Sequence, residues 1–311
     1  MTDYFTVFAG TANPELARRV ARELGVPLGE CTIERFPDGE ISVQLNEPVR
    51  GREVFIVQPT SPPVNEHLVE LLAFADACRR SSAARITAVV PYFGYSRSDK
   101  RHGRREPITA RMVADLLEAV GVAAVVTVDL HAPQIEGFFH VPVDNLTAVP
   151  ALVRTLRDRM PAGTVVVAPD AGAVKLATEY AHQLQAPVIV LHKRRTSGTE
   201  TRVTHLVGEV RGRACLIVDD MISTGGTIAE SVEALLKAGA HPEITVAATH
   251  GLLLEGAKER LMSEGVREVI VTDTLPVNEP HWPELRIISL APLIAAALRR
   301  LLSDGSLSDL Y

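Results

Sequence analysis

The stretch CLIVDDMISTGGTI, residues 215–228, runs four apolar residues into two adjacent carboxylates, Asp219 and Asp220, and then into a turn of small polar residues. Ser223, Thr224 and Thr227 offer hydroxyl groups, Gly225 and Gly226 let the backbone approach closely and take positive φ, and a helix is expected to begin there. The N terminus of a helix presents N–H groups to an anion, so the turn reads as a phosphate cradle. The two acids would repel a bare phosphate. They make sense beside a ligand with hydroxyl groups at one end and phosphate at the other, and a sugar phosphate has that form. The competing reading is a tight strand–helix turn in which Asp219 or Asp220 serves as a cap.

Other groups able to do chemistry fall after short apolar runs: Pro91–Arg97, Asp129–His131, Asp170 and His192–Arg195. The segment KRRTSGTETR, 193–202, is basic and lacks apolar anchors, so it is expected to be a mobile excursion. Lys193 and Arg195 could close over an anionic ligand there, or could simply be solvated. In FPDGE, 36–40, Phe36 offers a ring for stacking and Asp38 and Glu40 offer acceptors around Gly39, although Pro-Asp-Gly by itself is most often only a turn. Arg97 could stack on a ring or meet a phosphate, or be an ordinary surface arginine. His131 and Asp170 have a bland alternative as hydrogen-bonding residues at strand ends.

The elements that must position these groups alternate along the chain. EVFIVQP (53–59), RITAVVPYF (85–93), AAVVTVDLH (123–131), TVVVAPD (164–170), PVIVLHK (187–193), ACLIVDD (214–220), ITVAATH (244–250) and EVIVTDT (268–274) are continuous apolar runs, the pattern of parallel strands buried on both faces. Helical segments lie between them. Ile108, Met112, Leu116 and Val120 recur every four residues before Gly121, and Ile228, Val232, Leu235 and Leu236 line a second helix before Gly239. Strand–helix alternation implies α/β architecture with parallel sheets. The polar turn in DNLTAVPAL, 144–152, divides two series of strands, giving expected domains 1–146 and 147–311.

The 311 residues suit two domains, and 46% hydrophobic with 23% charged residues is an ordinary globular composition. A net charge of -6 argues against nonspecific binding to nucleic acid or anionic membranes. Cys31, Cys78 and Cys215 are odd in number and widely spaced, which implies neither a disulfide framework nor a zinc site. No signal peptide is visible. IISLAPLIAAALRRLL is interrupted by Pro292 and reads as a core strand and core helix, not a membrane span. A cytoplasmic location is expected.

VDDMISTGGT resembles the ribose-phosphate loop of the type I phosphoribosyltransferase fold. RFPDGEISVQL (35–45), VRGREVFIVQ (49–58), PYFGYSRSDKR (91–101), DLHAPQIEGFFHVPVDNL (129–146), VVAPDAGAVK (166–175), HKRR (192–195) and VTDTLP (271–276) together resemble the ribose-phosphate pyrophosphokinase (PRPP synthetase) family over nearly the whole chain. The resemblance implies two doubly wound parallel-sheet domains of the type I phosphoribosyltransferase-like fold. The first would carry the ATP side and oligomer contacts, the second the ribose 5-phosphate loop. The implied reaction moves a diphosphoryl group from ATP to the C1 hydroxyl of ribose 5-phosphate and releases AMP.

In that assignment Phe36, Asp38, Gly39 and Glu40 reach the adenine of a neighbouring subunit's ATP, with Arg97, Ser98 and His131 also on the nucleotide side. His131 and Asp170 contact Mg²⁺, Lys193 and Arg195 are catalytic, and Arg195, Asp219, Asp220 and Ser223–Thr227 hold ribose 5-phosphate. A dimer-based homo-oligomer, with a hexamer expected, is implied as well. The alternatives are a phosphoribosyltransferase, which would need no ATP, and a non-catalytic homologue. The chain departs from the family pattern in places. Ser98 stands where Gln is frequent and Ser223 where Asp is frequent. Arg50, Ser82, Asn145, Ser306 and Ser308 match the pattern of an allosteric phosphate and ADP site, but Pro48 and Pro133 replace common serines. Phosphate activation and ADP inhibition are therefore expected to be weak or absent.

Overall fold

The computed structural model describes residues 4–101, 103–195, 201–262, 265–277 and 281–310, with the backbone alone at 193–195 and 201–204. Internal contacts divide the chain into two units. The first comprises the chain through Thr147, with Thr274–Pro276 and the chain from Ser289 onward; the second comprises Ala148–Asp273 and Val277–Ile288.

The first unit contains β1 (Phe5–Ala9), α1 (Pro14–Leu24), β2 (Cys31–Arg35), β3 (Ile41–Leu45), β4 (Glu53–Val57), α2 (Val64–Arg80), β5 (Arg85–Val90), α3 (Thr109–Ala119), β6 (Ala124–Val128), a short 3-10 helix at Pro133–Phe138 and β7 (Val143–Leu146). Five strands pair in parallel in the order β1-β4-β5-β6-β7, while β2 and β3 form a separate antiparallel hairpin. The second unit contains α4 (Val149–Arg157), β8 (Val165–Ala168), α5 (Val174–Leu184), β9 (Val188–Arg195), β10 (Thr201–Val207), β11 (Cys215–Ile222), α6 (Gly226–Lys237), β12 (Ile244–Gly251), α7 (Ala257–Leu261), β13 (Val266–Thr272) and β14 (Leu285–Ile288). Its seven-stranded sheet runs β10-β9-β8-β11-β12-β13-β14, parallel except for the β9–β10 pair. The buried runs VVVA of β8 and CLIV of β11 explain the absence of alternation in the sequence, because both faces of these strands are covered.

The chain ends in α8 (Ala291–Leu302), whose Ile294, Ala295, Ala297 and Leu298 are buried and which packs on α1. This corrects the contiguous division at 147–311: the last helix belongs to the first unit. Its physical reason lies in the winding of the first sheet. After α1, Leu28 makes a single parallel bridge to Val7, whose other edge pairs with β4. The chain thus steps off β1 in one direction and returns through β4–β7 in the other. Right-handed crossovers taken in opposite directions cover opposite faces, so α1 does not share the face of α2 and α3 and needs α8 as its neighbour.

Two further expectations are corrected. The four-residue series Ile108, Met112, Leu116 does mark α3, but it is not the core face; these side chains are 36%, 48% and 38% exposed. Ala110, Val113, Ala114 and Leu117 are the buried ones. They share the same helical periodicity, and two alanines let the helix lie close against its neighbours. The segment 193–202 is not wholly an excursion either. β9 extends to Arg195 and β10 begins at Thr201, with Arg195 opposite Thr201 and Lys193 opposite Val203. Residues 196–200 lie outside the described residues.

Candidate active site

In the second unit, β8 leads through α5 outward to β9, while β11 leads through α6 the other way to β12. The strand order therefore reverses between the adjacent strands β8 and β11. Open α/β sheets bind ligands in the crevice at the carboxyl ends of such a pair. Asp170 follows β8, and Asp219 and Asp220 lie near the end of β11; Leu216 pairs with Val166 and Ile217 with Val167, so the acids fall level with the residues just after β8. β9 runs five residues past its last pairing with β8, at Val190, and carries Lys193 and Arg195 along the same carboxyl edge. The side chains of Lys193 and Arg195 lie outside the described residues.

The acids repel one another. Asp219 is half-buried, and its carboxyl is pushed well above the usual carboxylate range, first by desolvation and then by the charges of Asp220 and Asp170. A hydrogen bond from the Asp220 backbone N–H to Asp219 Oδ1, 2.9 Å, works against that rise. Asp170 Oδ1 accepts the N–H groups of Gly172 (2.8 Å) and Ala173 (3.2 Å) and so fixes the turn into α5. This is the structural role open to a strand-end acid, and it holds one carboxylate oxygen in place.

The turn after Asp220 forms as its residues dictate. Gly225, at φ 75°, is the N-cap of α6, and a Cβ there would meet Leu261 Cγ at 3.1 Å, so both conformation and space call for glycine. α6 then opens with Gly226 and Thr227, bringing its first N–H groups to the carboxyl edge. Ile228, Val232 and Leu235 hold the helix in the core, as their spacing requires, and Ser231 Oγ donates to the Thr227 carbonyl at 2.7 Å. Behind the turn, the N–H groups of Leu253 and Leu254 donate to the carbonyls of Ile222 (3.1 Å) and Ser223 (2.9 Å). Asp170, Asp219, Asp220 and Ser223–Thr227 are thus gathered along the carboxyl edge of one unit.

The remaining candidates belong to the first unit. Phe36, Asp38, Gly39 and Glu40 form the exposed tip of the β2–β3 hairpin, where Phe36 is 46% exposed. Gly39, at φ 92°, closes the turn, Phe36 N–H donates to the Glu40 carbonyl at 2.9 Å, and Glu40 N–H donates to Asp38 Oδ1 at 3.1 Å. The base of the hairpin is clamped by Arg35, which ion-pairs with Glu66 and lies 3.5 Å from Glu70 on α2. Glu70 is fully buried and accepts from Thr11 N–H (2.6 Å) and Gln58 Nε2 (2.9 Å). This carboxylate was not among the sequence candidates; its signal was an acid on the mostly apolar face of α2 that also carries His67, Leu68, Leu71 and Phe74.

Arg97 and His131 are exposed and follow the adjacent parallel strands β5 and β6. Ser98 faces elsewhere: its Oγ accepts from Thr109 N–H at 3.3 Å and its carbonyl from Ala110 N–H at 3.2 Å, tying down the start of α3. Of the regulatory candidates, Arg50 Nη1 donates to Ser82 Oγ (3.1 Å), Ser306 and Ser308 hydroxyls are 2.9 Å apart, and Asn145 bridges Glu136 and the Leu130 N–H.

The donor set fits a hard divalent cation, for it offers carboxylate oxygens whose mutual repulsion a cation would relieve. Among the described residues no group of three or more His, Cys, Asp or Glu forms a cage. A cation held here would share few protein ligands with substrate phosphates, the manner in which Mg²⁺ is usually bound. All three cysteines are free thiols, and burial pushes Cys78 up to about 12 and Cys215 to about 11, which leaves them unreactive. No described helix is long and apolar enough to cross a membrane.

The chain is similar to known proteins over nearly its whole length. Residues 5–121 match the family model for the N-terminal domain of ribose phosphate pyrophosphokinase, and residues 198–311 match the phosphoribosyl synthetase-associated domain. The chain is 45% identical over 309 residues to a ribose-phosphate pyrophosphokinase of Marinomonas sp., covering 98% of each chain. It is 44% identical over 312 residues to that of Caldanaerobacter subterraneus subsp. tengcongensis, covering 100% of this chain and 98% of the other. The crystal structure of phosphoribosylpyrophosphate synthetase from Mycobacterium smegmatis superposes with a TM-score of 0.92 at 44% identity, covering 97% of this chain and 100% of that one.

Proposed function

Because the chain belongs to the ribose-phosphate pyrophosphokinase family, we propose that the turn after Asp220 is where it seats ribose 5-phosphate. The enzyme transfers the β,γ-diphosphoryl group of ATP to the C1 hydroxyl of ribose 5-phosphate, giving 5-phosphoribosyl 1-pyrophosphate and AMP. The observation that carries the residue assignment is the strand reversal between β8 and β11, which sets two acids and a helix N terminus side by side at one carboxyl edge. Asp219 and Asp220 accept hydrogen bonds from the ribose hydroxyls, and Ser223, Thr224, Gly225, Gly226 and Thr227 hold the 5-phosphate. With the pentose held at both ends, its C1 oxygen attacks the β-phosphorus while the bond from that phosphorus to the AMP oxygen breaks.

Lys193 and Arg195, at the end of β9, stabilise charge on the transferring group, and Arg195 also contacts the sugar phosphate. On the nucleotide side, Phe36, Asp38, Gly39 and Glu40 contact the adenine of a neighbouring subunit's ATP, and Arg97 and His131 contact the enzyme's own ATP. Ser98 is assigned to the nucleotide only through its tie to α3. Kinase-type enzymes work with a divalent metal; here Mg²⁺ is assigned to Asp170, and to His131 through water, and would neutralise phosphate charge when bound. The exposed apolar side chains of α3 support assembly as a dimer-based homo-oligomer, with a hexamer in this reading, and the buried thiols suit a cytoplasmic setting.

A crystal soaked with ribose 5-phosphate tests the central assignment. The 5-phosphate is expected against the N–H groups of residues 223–227, with ribose hydroxyls at Asp219 and Asp220. Density for the sugar phosphate at any other place would overturn it.

A further inference from the structure

We propose that Arg260, on the short helix α7, is a positioning residue for the sugar-phosphate turn; the proposal rests on the assignment of ribose 5-phosphate to residues 223–227. Arg260 Nη1 donates to the Thr224 carbonyl at 2.8 Å. Its guanidinium lies over Gly256, where an added Cβ would be in ordinary contact with Nη1 at 3.6 Å, and Gly256 itself takes φ 78°. The glycine therefore serves the left-handed backbone that leads into α7, and the arginine folds back over it toward the turn. Arg260 completes a series: Leu253 N–H holds the Ile222 carbonyl, Leu254 N–H holds the Ser223 carbonyl, and Arg260 holds the Thr224 carbonyl.

Three consecutive carbonyls are therefore engaged by one segment, 253–260. In a trans peptide the C=O and N–H groups point in opposite directions. Fixing these three carbonyls toward the supporting segment turns the N–H groups of Ser223, Thr224 and Gly225 away from it. Successive N–H groups presented together form an anion-binding concavity, here continued by the N terminus of α6. The first two holds are backbone N–H groups, which only a proline substitution would remove. The third is a cationic side chain, which both fixes the peptide plane and places positive charge behind a turn that receives a dianion. Asp219, Asp220 and Asp170 make the neighbourhood acidic, so a cation behind the turn offsets their field at the phosphate.

The effect should appear in sugar-phosphate affinity and not in the nucleotide. In steady-state assays of the full-length enzyme, Arg260→Met is expected to raise KM for ribose 5-phosphate about tenfold, the size of one charge-assisted hydrogen bond. The KM for ATP and kcat should stay within about twofold, and Arg260→Lys should recover part of the loss by restoring charge and a donor. Thr227→Ala, in the turn itself, is measured in parallel with circular dichroism of every variant. If Thr227→Ala raises KM for ribose 5-phosphate and Arg260→Met does not, this proposal fails while the site assignment stands. Wild-type KM in both variants sinks the assignment and the proposal together. Should Arg260→Met not fold, Arg260→Lys decides: an unchanged KM for ribose 5-phosphate, or equal changes in both KM values, overturns the positioning role.

Discussion

At the residue scale, two assignments have direct consequences for the chemistry. Diphosphoryl transfer needs charge stabilisation more than covalent participation, so a cation at the end of β9 should matter for turnover. Lys193→Ala is expected to lower kcat by at least ~10²–10³-fold, by analogy with loss of one transition-state donor, while circular dichroism stays that of the wild type. Near-wild-type turnover would remove Lys193 from the mechanism. The second consequence concerns Asp219. Its folded-state pKa is raised by desolvation and by Asp220 and Asp170, so the folded protein favours the protonated acid more than the unfolded chain does. The stability this confers is present at low pH and is lost as pH rises from the usual aspartate range through the raised value. In metal-free enzyme without substrate, Asp219→Asn should therefore match the wild-type melting temperature near pH 4 and exceed it near pH 8. A gap that shrinks as pH rises would contradict the burial and mutual repulsion assigned to Asp219, Asp220 and Asp170.

At the element scale, α3 and the β2–β3 hairpin are the informative pieces. The hairpin is antiparallel and separate from the main sheet, and its tip exposes Phe36 ahead of two acids, Asp38 and Glu40. Its strands alternate apolar and polar residues, and Cys31, Ile33, Val43 and Leu45 on one face pack partly buried against the core. On α3, the exposed side chains Ile108, Met112 and Leu116 stand beside the ion pair of Arg111 and Asp115, 2.8 Å apart. An antiparallel mate would set arginine near aspartate and apolar against apolar, a self-complementary pattern of the kind a two-fold interface needs. Met112→Glu combined with Leu116→Glu is expected to lower the oligomeric mass in analytical ultracentrifugation without unfolding the chain. An unchanged sedimentation coefficient would place the interface elsewhere.

At the scale of the whole molecule, the C-terminal helix decides stability and the departures from the family pattern bear on regulation. Removing the chain from Ser289 onward would expose α1, which packs on α8, and would delete the buried side chains Ile294 and Leu298. Two such side chains are worth roughly 3–6 kcal/mol on burial, comparable with the ~5–15 kcal/mol that holds a typical domain together. The truncated chain should therefore show a broad, lowered thermal transition and rapid proteolysis of the first unit. A transition as sharp and as high as that of the full chain would show that α8 is dispensable. For regulation, Pro133 opens the 3-10 helix, where it supplies neither hydroxyl nor N–H. Titration of inorganic phosphate is expected to change activity little, and a strong activation would refute the reading of Pro48 and Pro133.

How much of this was legible beforehand depended on what each signal rests on. The parallel α/β architecture and the turn after Asp220 were open to reading, because a continuous apolar run and a Ser/Thr/Gly turn are local consequences of burial on both faces and of backbone conformation. The existence of α3 was likewise local, but its buried face was not: two interleaved sets of apolar residues fit one helix, and only the neighbouring elements choose between them. The same holds for Glu70, Arg260 and α8. Each acts on residues far along the chain, 59 positions from Thr11 to Glu70 and 36 from Thr224 to Arg260. Sequence alone therefore determined which segments form strands and turns and which residue types line the candidate site. Only the tertiary structure decided what stands behind that turn and where the last helix packs, because these contacts follow from the order of strands in the sheets and not from any local propensity.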